Sequence, residues 1–161
     1  MIAAEACVIN ARWLKDHYDQ LDPVVAERMI TGQSLSAPDY LTELRLWNVL
    51  RDGIGRSLKN IDALLVPTTM IPGKPIKEVD ASAESYRRHN MNYLRNTSLG
   101  NILNLCAVSV PCGFTRQGLP VGLMIYAKPF REETALRVAF AYEQATEWHR
   151  CHPDLSWIKG S

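Results

Sequence analysis

The chain has 161 residues, enough for a single domain with its own core. Hydrophobic residues make up 47%, charged residues 22%, and the formal net charge is +1. That balance excludes a strongly basic nucleic-acid or membrane-surface binder, and no apolar run approaches the roughly 20 residues a bilayer-spanning helix needs.

In chain order, Ile2, Ala6, Ile9 and Trp13 step by four, three and four, the spacing of one apolar helix face. The opening residues lack a basic stretch followed by an apolar core, so they do not read as a secretory signal, and a cytoplasmic location is expected. Asp22 before Pro23 is an N-cap with proline at the first helical position, and Gly32 is expected to stop that helix in a left-handed conformation. Ser36 caps the next helix, with Asp39 as a shorter stand-in for the glutamate of a capping box. Its stripe runs through Tyr40, Leu44, Trp47, Leu50, Ile54, Leu58 and Ile61. Gly53 and Gly55 each weaken that helix by roughly 1 kcal/mol relative to alanine, which points to close packing or a bend.

Residues 62–67 form a short continuous apolar run ending in proline, the pattern of a buried strand. Residues 68–80, with Pro72, Gly73 and Pro75, read as a loop of a length that is often functional. A polar helix is expected from about 82 to 95, and a short apolar one around 99–105. Residues 107–111 and 119–126, joined by a turn at 115–118, read as a hairpin, with Gly113 and Gly122 marking bulges or close backbone approach. The last helix is expected from about Glu132 to His149, with Glu132 and Glu133 at its positive end and a stripe of Ala135, Val138, Ala139, Tyr142 and Ala145. Residues 151–161 are expected to be extended. Helices flanking so few strands make an α/β layer pattern whose sheet has room for further strands.

Catalytic signatures are sparse. No Gly-rich phosphate loop and no G-x-S-x-G elbow occur. The cysteines at 7, 106, 112 and 151 form no Cys-x-x-Cys and are expected to be free thiols. His149, Cys151 and His152 come nearest to a metal cluster, but a helix end with histidines favoured by its dipole is the better reading of them; no metal and no cofactor are expected. Ser/Lys chemistry needs a serine with a base and an oxyanion hole. Ser36 is better explained as a cap, Ser109 lies in an apolar strand with no evident base, and no lysine forms a recognisable pair with a serine.

Residues 101–113, NILNLCAVSVPCG, lead into GLPVGLM at 118–124, then Pro129-Phe130, then AYEQATEWH at 141–149. This order resembles the carboxy-terminal region of the amidase-signature family, with its P-A-x-S-V-P-x-G, G-L-P-V-G-L-Q and A-x-x-x-E patterns. Upstream, DALLVPT at 62–68 is similar to the family's strand and loop, and Glu5-Ala6 and SAPDY at 36–40 to its preceding helices. Cys106 stands where the family often has proline, and Met124 where it often has glutamine.

The resemblance implies that residues 1–161 are the carboxy-terminal part of a single amidase-signature domain. The fold would be α/β, part of an α/β/α layer structure with a mixed sheet flanked by helices and here incomplete. In such enzymes a serine attacks the amide carbonyl, and a lysine acts through a second serine in a cis peptide. Those residues lie amino-terminal to everything here, so no catalytic residue is carried over, and the chain alone is expected to be inactive and only partly stable. By resemblance, Thr68, Thr69, Thr97, Gly100, Asn101 and Asn104 are candidates for lining the substrate pocket. The implied partners are a small-molecule amide substrate and either a missing amino-terminal half or a second copy at an exposed sheet edge. No nucleic-acid or membrane contact is expected. The leading reading is a fragment of an amide hydrolase, or of the related tRNA-linked amidotransferase. A non-catalytic binding or assembly module is the alternative.

Overall fold

The computed structural model describes residues 1–152. Its chain divides into two compact units at Gly53 and Ile54.

The first unit opens with α1 (Ile2–Ile9) and α2 (Ala11–Asp16). The expected single helix breaks at Asn10, whose side-chain amide donates to the Ala6 carbonyl at 2.8 Å and competes with the backbone for that acceptor. Cys7 is buried, whereas Ile2, Ile9 and Trp13 of the expected apolar face are exposed. After a 3-10 turn, Tyr18–Gln20, comes α3 (Pro23–Ile30), capped by the Asp22 carboxylate, which accepts from the Val24 and Val25 N–H groups at 3.0 and 3.1 Å. Gly32 does not stop this helix in a left-handed conformation; the chain passes into a 3-10 segment, Thr31–Ser34. The glycine is required instead by close approach, because a Cβ there would sit 2.2 Å from the Ala3 carbonyl oxygen.

The helix α4 (Ala37–Ser57) starts at Ser36, whose hydroxyl accepts from the Asp39 N–H at 3.2 Å and donates to the Asp39 carboxylate at 2.6 Å. Aspartate is too short to reach back to the capping residue's backbone as glutamate does, so it takes the hydroxyl instead. Gly53 and Gly55 face open space, so of the two expected reasons for them, close packing or a bend, close packing does not apply.

The second unit carries the sheet: β1 (Ala63–Pro67), β2 (Cys106–Phe114) and β3 (Pro120–Ala127) in the order β1-β3-β2. Every pairing is antiparallel, so the parallel component of the expected mixed sheet is not among these strands. The outer edges of β1 and β2 have no strand partner among the described residues. The register places Leu65, Ile125 and Val108 in one row and Leu64, Tyr126 and Ala107 in the next, on opposite faces of the pleat. Cys112 forms a bulge between Pro111 and Gly113, where Gly113 takes φ 133°.

Between β1 and β2 lie α5 (Ile76–Val79), a short helix inside the expected loop, and α6 (Ala83–Leu103). One continuous helix replaces the expected pair, since nothing between 95 and 99 is glycine or proline to break it. It ends on Asn104 at φ 59°, a residue whose short polar side chain tolerates the left-handed region. After β3, α7 (Glu132–Ala145) stops short of the expected His149, and a 3-10 turn, Trp148–Arg150, follows. The core is Val110, Ile125 and Ala139, with Val108, Leu123, Val138 and Tyr142 packed against it, so α7 covers the Ile125 face. All four cysteines are free thiols, and burial raises the thiol pKa of Cys112. The expectation of an extended end falls mostly on residues 153–161, which lie outside the described residues.

Candidate functional site

Of the expected pocket residues, Thr68 lies on a hydroxyl bridge, Gly100, Asn101 and Asn104 lie on one cleft, and Thr69 and Thr97 belong to neither. Thr68 follows β1 and stays in register, its N–H donating to the Gly122 carbonyl at 2.8 Å. Its hydroxyl shares a 2.5 Å hydrogen bond with the hydroxyl of Ser109 on β2. The two hydroxyls meet across the position of Gly122 on the central strand, where a Cβ would come within 2.7 Å of Thr68 Oγ1 and 2.9 Å of Ser109 Oγ. Only glycine leaves room for that bridge. Two hydroxyls joined by one bond keep one O–H free to donate, so the pair can bind a carbonyl or carboxylate acceptor. The sequence shows no base for Ser109 and gives it no role on that ground. Its period-2 position, one residue along from the buried Val110, is the signal that puts it on the sheet face opposite the α7 core.

Asn96 and Tyr126 tie this region to α6. The Asn96 amide donates to the Pro67 carbonyl at 2.7 Å, and the Tyr126 hydroxyl donates to the Asn96 carbonyl at 2.5 Å. Gly100 is buried beneath the Tyr126 ring, where a Cβ would lie 2.7 Å from Cε1. Burial raises the Tyr126 pKa and outweighs an opposing hydrogen bond to the Gly100 backbone. Gly100, Asn101 and Asn104 line one side of an open cleft of about 400 Å³, with Pro129, Phe130 and Glu132 opposite. Phe130 holds φ 58° and is 91% exposed, an unusual state for a bulky residue. Thr69 and Thr97 point elsewhere for their bonds, donating to the carbonyls of Ile71 at 2.9 Å and Leu94 at 3.0 Å.

A serine, a histidine and a glutamate also meet at the other end of α6. Ser85 Oγ is 3.3 Å from His89 Nδ1, and His89 Nε2 is 3.5 Å from Glu78 Oε1. The bonding is wrong for a nucleophile. The Ser85 hydroxyl donates to the Glu78 carbonyl at 2.7 Å, and His89 Nδ1 faces the Ser85 carbonyl at 2.8 Å and so carries a proton. A protonated nitrogen cannot take the serine's proton.

Among the described residues no lysine lies within hydrogen-bond reach of a serine hydroxyl; Lys74 pairs with Glu78 at 3.1 Å, and Lys128 donates to the Lys59 carbonyl at 3.3 Å. Nor do three His, Cys, Asp or Glu side chains converge on a metal position among them. Near the candidate cluster at 149–152, Trp148 packs edge-on to Phe114, and Cys151 Sγ lies 3.8 Å from the Glu147 carbonyl. In the first unit an apolar groove of about 580 Å³ lies between α1 and the start of α4, with the Tyr40 hydroxyl donating to Glu5 at 2.8 Å. No sequence signal points to it, because its walls come from segments about thirty residues apart in the chain.

Residues 11–136 match the family model described as Amidase. An amidase of Pseudomonas putida is 36% identical over 129 residues, which cover 77% of this chain and 27% of that protein. The 2-amino-5-chloromuconic acid deaminase of Comamonas testosteroni is 30% identical over 138 residues, 83% of this chain and 29% of that protein. An amidase crystal structure superposes with a TM-score of 0.77 at 24% identity, over 89% of this chain and 33% of that one, a likeness of fold. The chain thus spans less than a third of the length of the curated relatives it matches.

Proposed function

The chain belongs to the amidase family, and on that premise we propose that it is the carboxy-terminal portion of an amide hydrolase, forming a sheet and one wall of the acyl pocket for a small-molecule amide. The nucleophilic serine, its serine partner and the lysine belong to the remaining part of the family's domain. The carrying observation is the Thr68–Ser109 bridge over Gly122, which offers a hydroxyl donor with no lysine in hydrogen-bond reach among the described residues. That is equipment for binding rather than for attack. Thr68, Gly100, Asn101 and Asn104 form the pocket wall in this reading; Thr69 and Thr97 shape the backbone around it.

The test is ammonia release from simple aliphatic and aromatic amides. The chain alone is expected to give none. Mixed or co-expressed with the amino-terminal region of the Pseudomonas putida amidase, it is expected to associate and restore turnover. Turnover by the chain alone would overturn the assignment of the nucleophile, and failure to associate would count against the pocket-wall role. The edges of β1 and β2, without a strand partner among the described residues, favour a second reading, a non-catalytic assembly module. A stable symmetric oligomer in sedimentation, inert even beside the amino-terminal region, would favour it.

A further inference from the structure

Residues 68–80 have the composition of a free loop, yet one face of α6 grips them along their length. Asn96 donates to the Pro67 carbonyl at 2.7 Å. The Tyr93 hydroxyl accepts from the Lys74 N–H at 2.9 Å and lies 3.4 Å from the Pro72 carbonyl. Ser85 donates to the Glu78 carbonyl at 2.7 Å. Ser85, His89, Tyr93 and Asn96 step by four, four and three, one side of a helix.

His89 is the buried member of that row, 4% exposed. Its Nδ1 faces the Ser85 carbonyl, which can only accept, so that nitrogen is the donor. Nε2 is left facing Glu78 Oε1 at 3.5 Å. Unprotonated, Nε2 turns a lone pair toward a carboxylate oxygen; protonated, it turns an N–H toward it. Lys74 holds the same oxygen at 3.1 Å from the loop side, and Ser85, the other polar neighbour, is uncharged. The Glu78 carboxyl sits below its ordinary value, chiefly through its hydrogen bond to Lys74, against some desolvation, with His89 adding to the effect. It is therefore an anion throughout the range in which histidines exchange their proton.

We propose that His89, Glu78 and Lys74 form a proton-operated latch. With the imidazole doubly protonated, α5 is drawn to α6 and the 68–80 segment is held; with it neutral, the segment opens more often. The latch does not depend on any amide substrate. Only its consequence, that pH tunes how firmly Thr68 and the turns after it are presented, rests on the pocket-wall reading.

Amide hydrogen exchange on the full chain tests it, with opening equilibria corrected for intrinsic rates at about pH 5.5 and about pH 8, either side of a typical histidine. Residues 74–80 are expected to open about threefold more often at the higher pH, the size of a partly exposed ion pair, while β3 is unchanged. Glu78→Gln, an exposed substitution that leaves the imidazole buried, is expected to abolish the difference, and His89→Gln to do the same. Equal opening at both pH values in the parent chain would overturn the latch. So would a response that survives in Glu78→Gln, one shared equally by β3, or a segment unprotected throughout. None of these outcomes bears on amide hydrolysis, so the two proposals fail separately.

Discussion

The two long helices of the second unit hold opposite faces of the same sheet by different physics. On the α7 face, Ala139, Val138 and Tyr142 meet Ile125, Val110 and Leu123, an apolar contact whose strength scales with buried area. On the α6 face, Tyr126 is fully buried too, but it is anchored by a hydroxyl bond to Asn96 and by a glycine that lets the ring slide beneath the helix. The apolar face tolerates rearrangement among residues of similar volume, whereas the polar face depends on individual atoms being in place. Such a polar face suits a binding wall, because its remaining donors are held at defined positions.

The contrast is tested hardest at Ile125, which is 0% exposed. Ile125→Ala is expected to cost about 3 kcal/mol of stability in urea unfolding, from lost burial plus the cavity. Gly100→Ala comes next, at about 2 kcal/mol, because its Cβ meets a buried ring that has nowhere to go. Paired with it, exchange should show α6 loosened while α7 keeps its protection. Tyr126→Phe removes the hydroxyl's bond to the Asn96 carbonyl and is expected to cost about 1 kcal/mol. If it cost as much as Ile125→Ala, the division between an apolar and a polar face would be wrong.

The smallest effect is electrostatic. Glu78 has a lowered folded pKa, chiefly from Lys74, so its contribution is present above the unfolded value and is lost as pH falls through the folded one. The urea midpoint of the parent chain should therefore drop slightly more than that of Glu78→Gln between about pH 5 and about pH 3.

Much of the sheet is legible in the sequence. The run ending at Pro67, the turn at 115–118 and the β-branched stretch around Val108 locate all three strands to within a residue or so, save for the far end of β2. Those signals are local: alternation, proline and turn chemistry act between near neighbours. The polar positions are harder. Gly32 reads as a helix stop and is a packing contact; Gly53 and Gly55 read as sites of close packing or a bend, and a Cβ at either would meet nothing. A glycine's sequence neighbours do not reveal what approaches it from a distant segment. Ser109 is left without a role for the same reason, since its partner Thr68 is 41 residues away. Of the six pocket candidates, Gly100, Asn101 and Asn104 lie on one cleft, Thr68 on the hydroxyl bridge, and Thr69 and Thr97 on bonds of their own.

By itself, then, the order of residues determined the strands, the caps at Asp22 and Ser36, and the family, because each depends on patterns read along a few turns or on motifs in series. Only the tertiary structure decided which hydroxyls share a proton, which glycine makes room for them, and which histidine lies buried against a carboxylate. Those outcomes depend on distances between segments far apart in the chain, set by strand register and helix docking together rather than by any local preference.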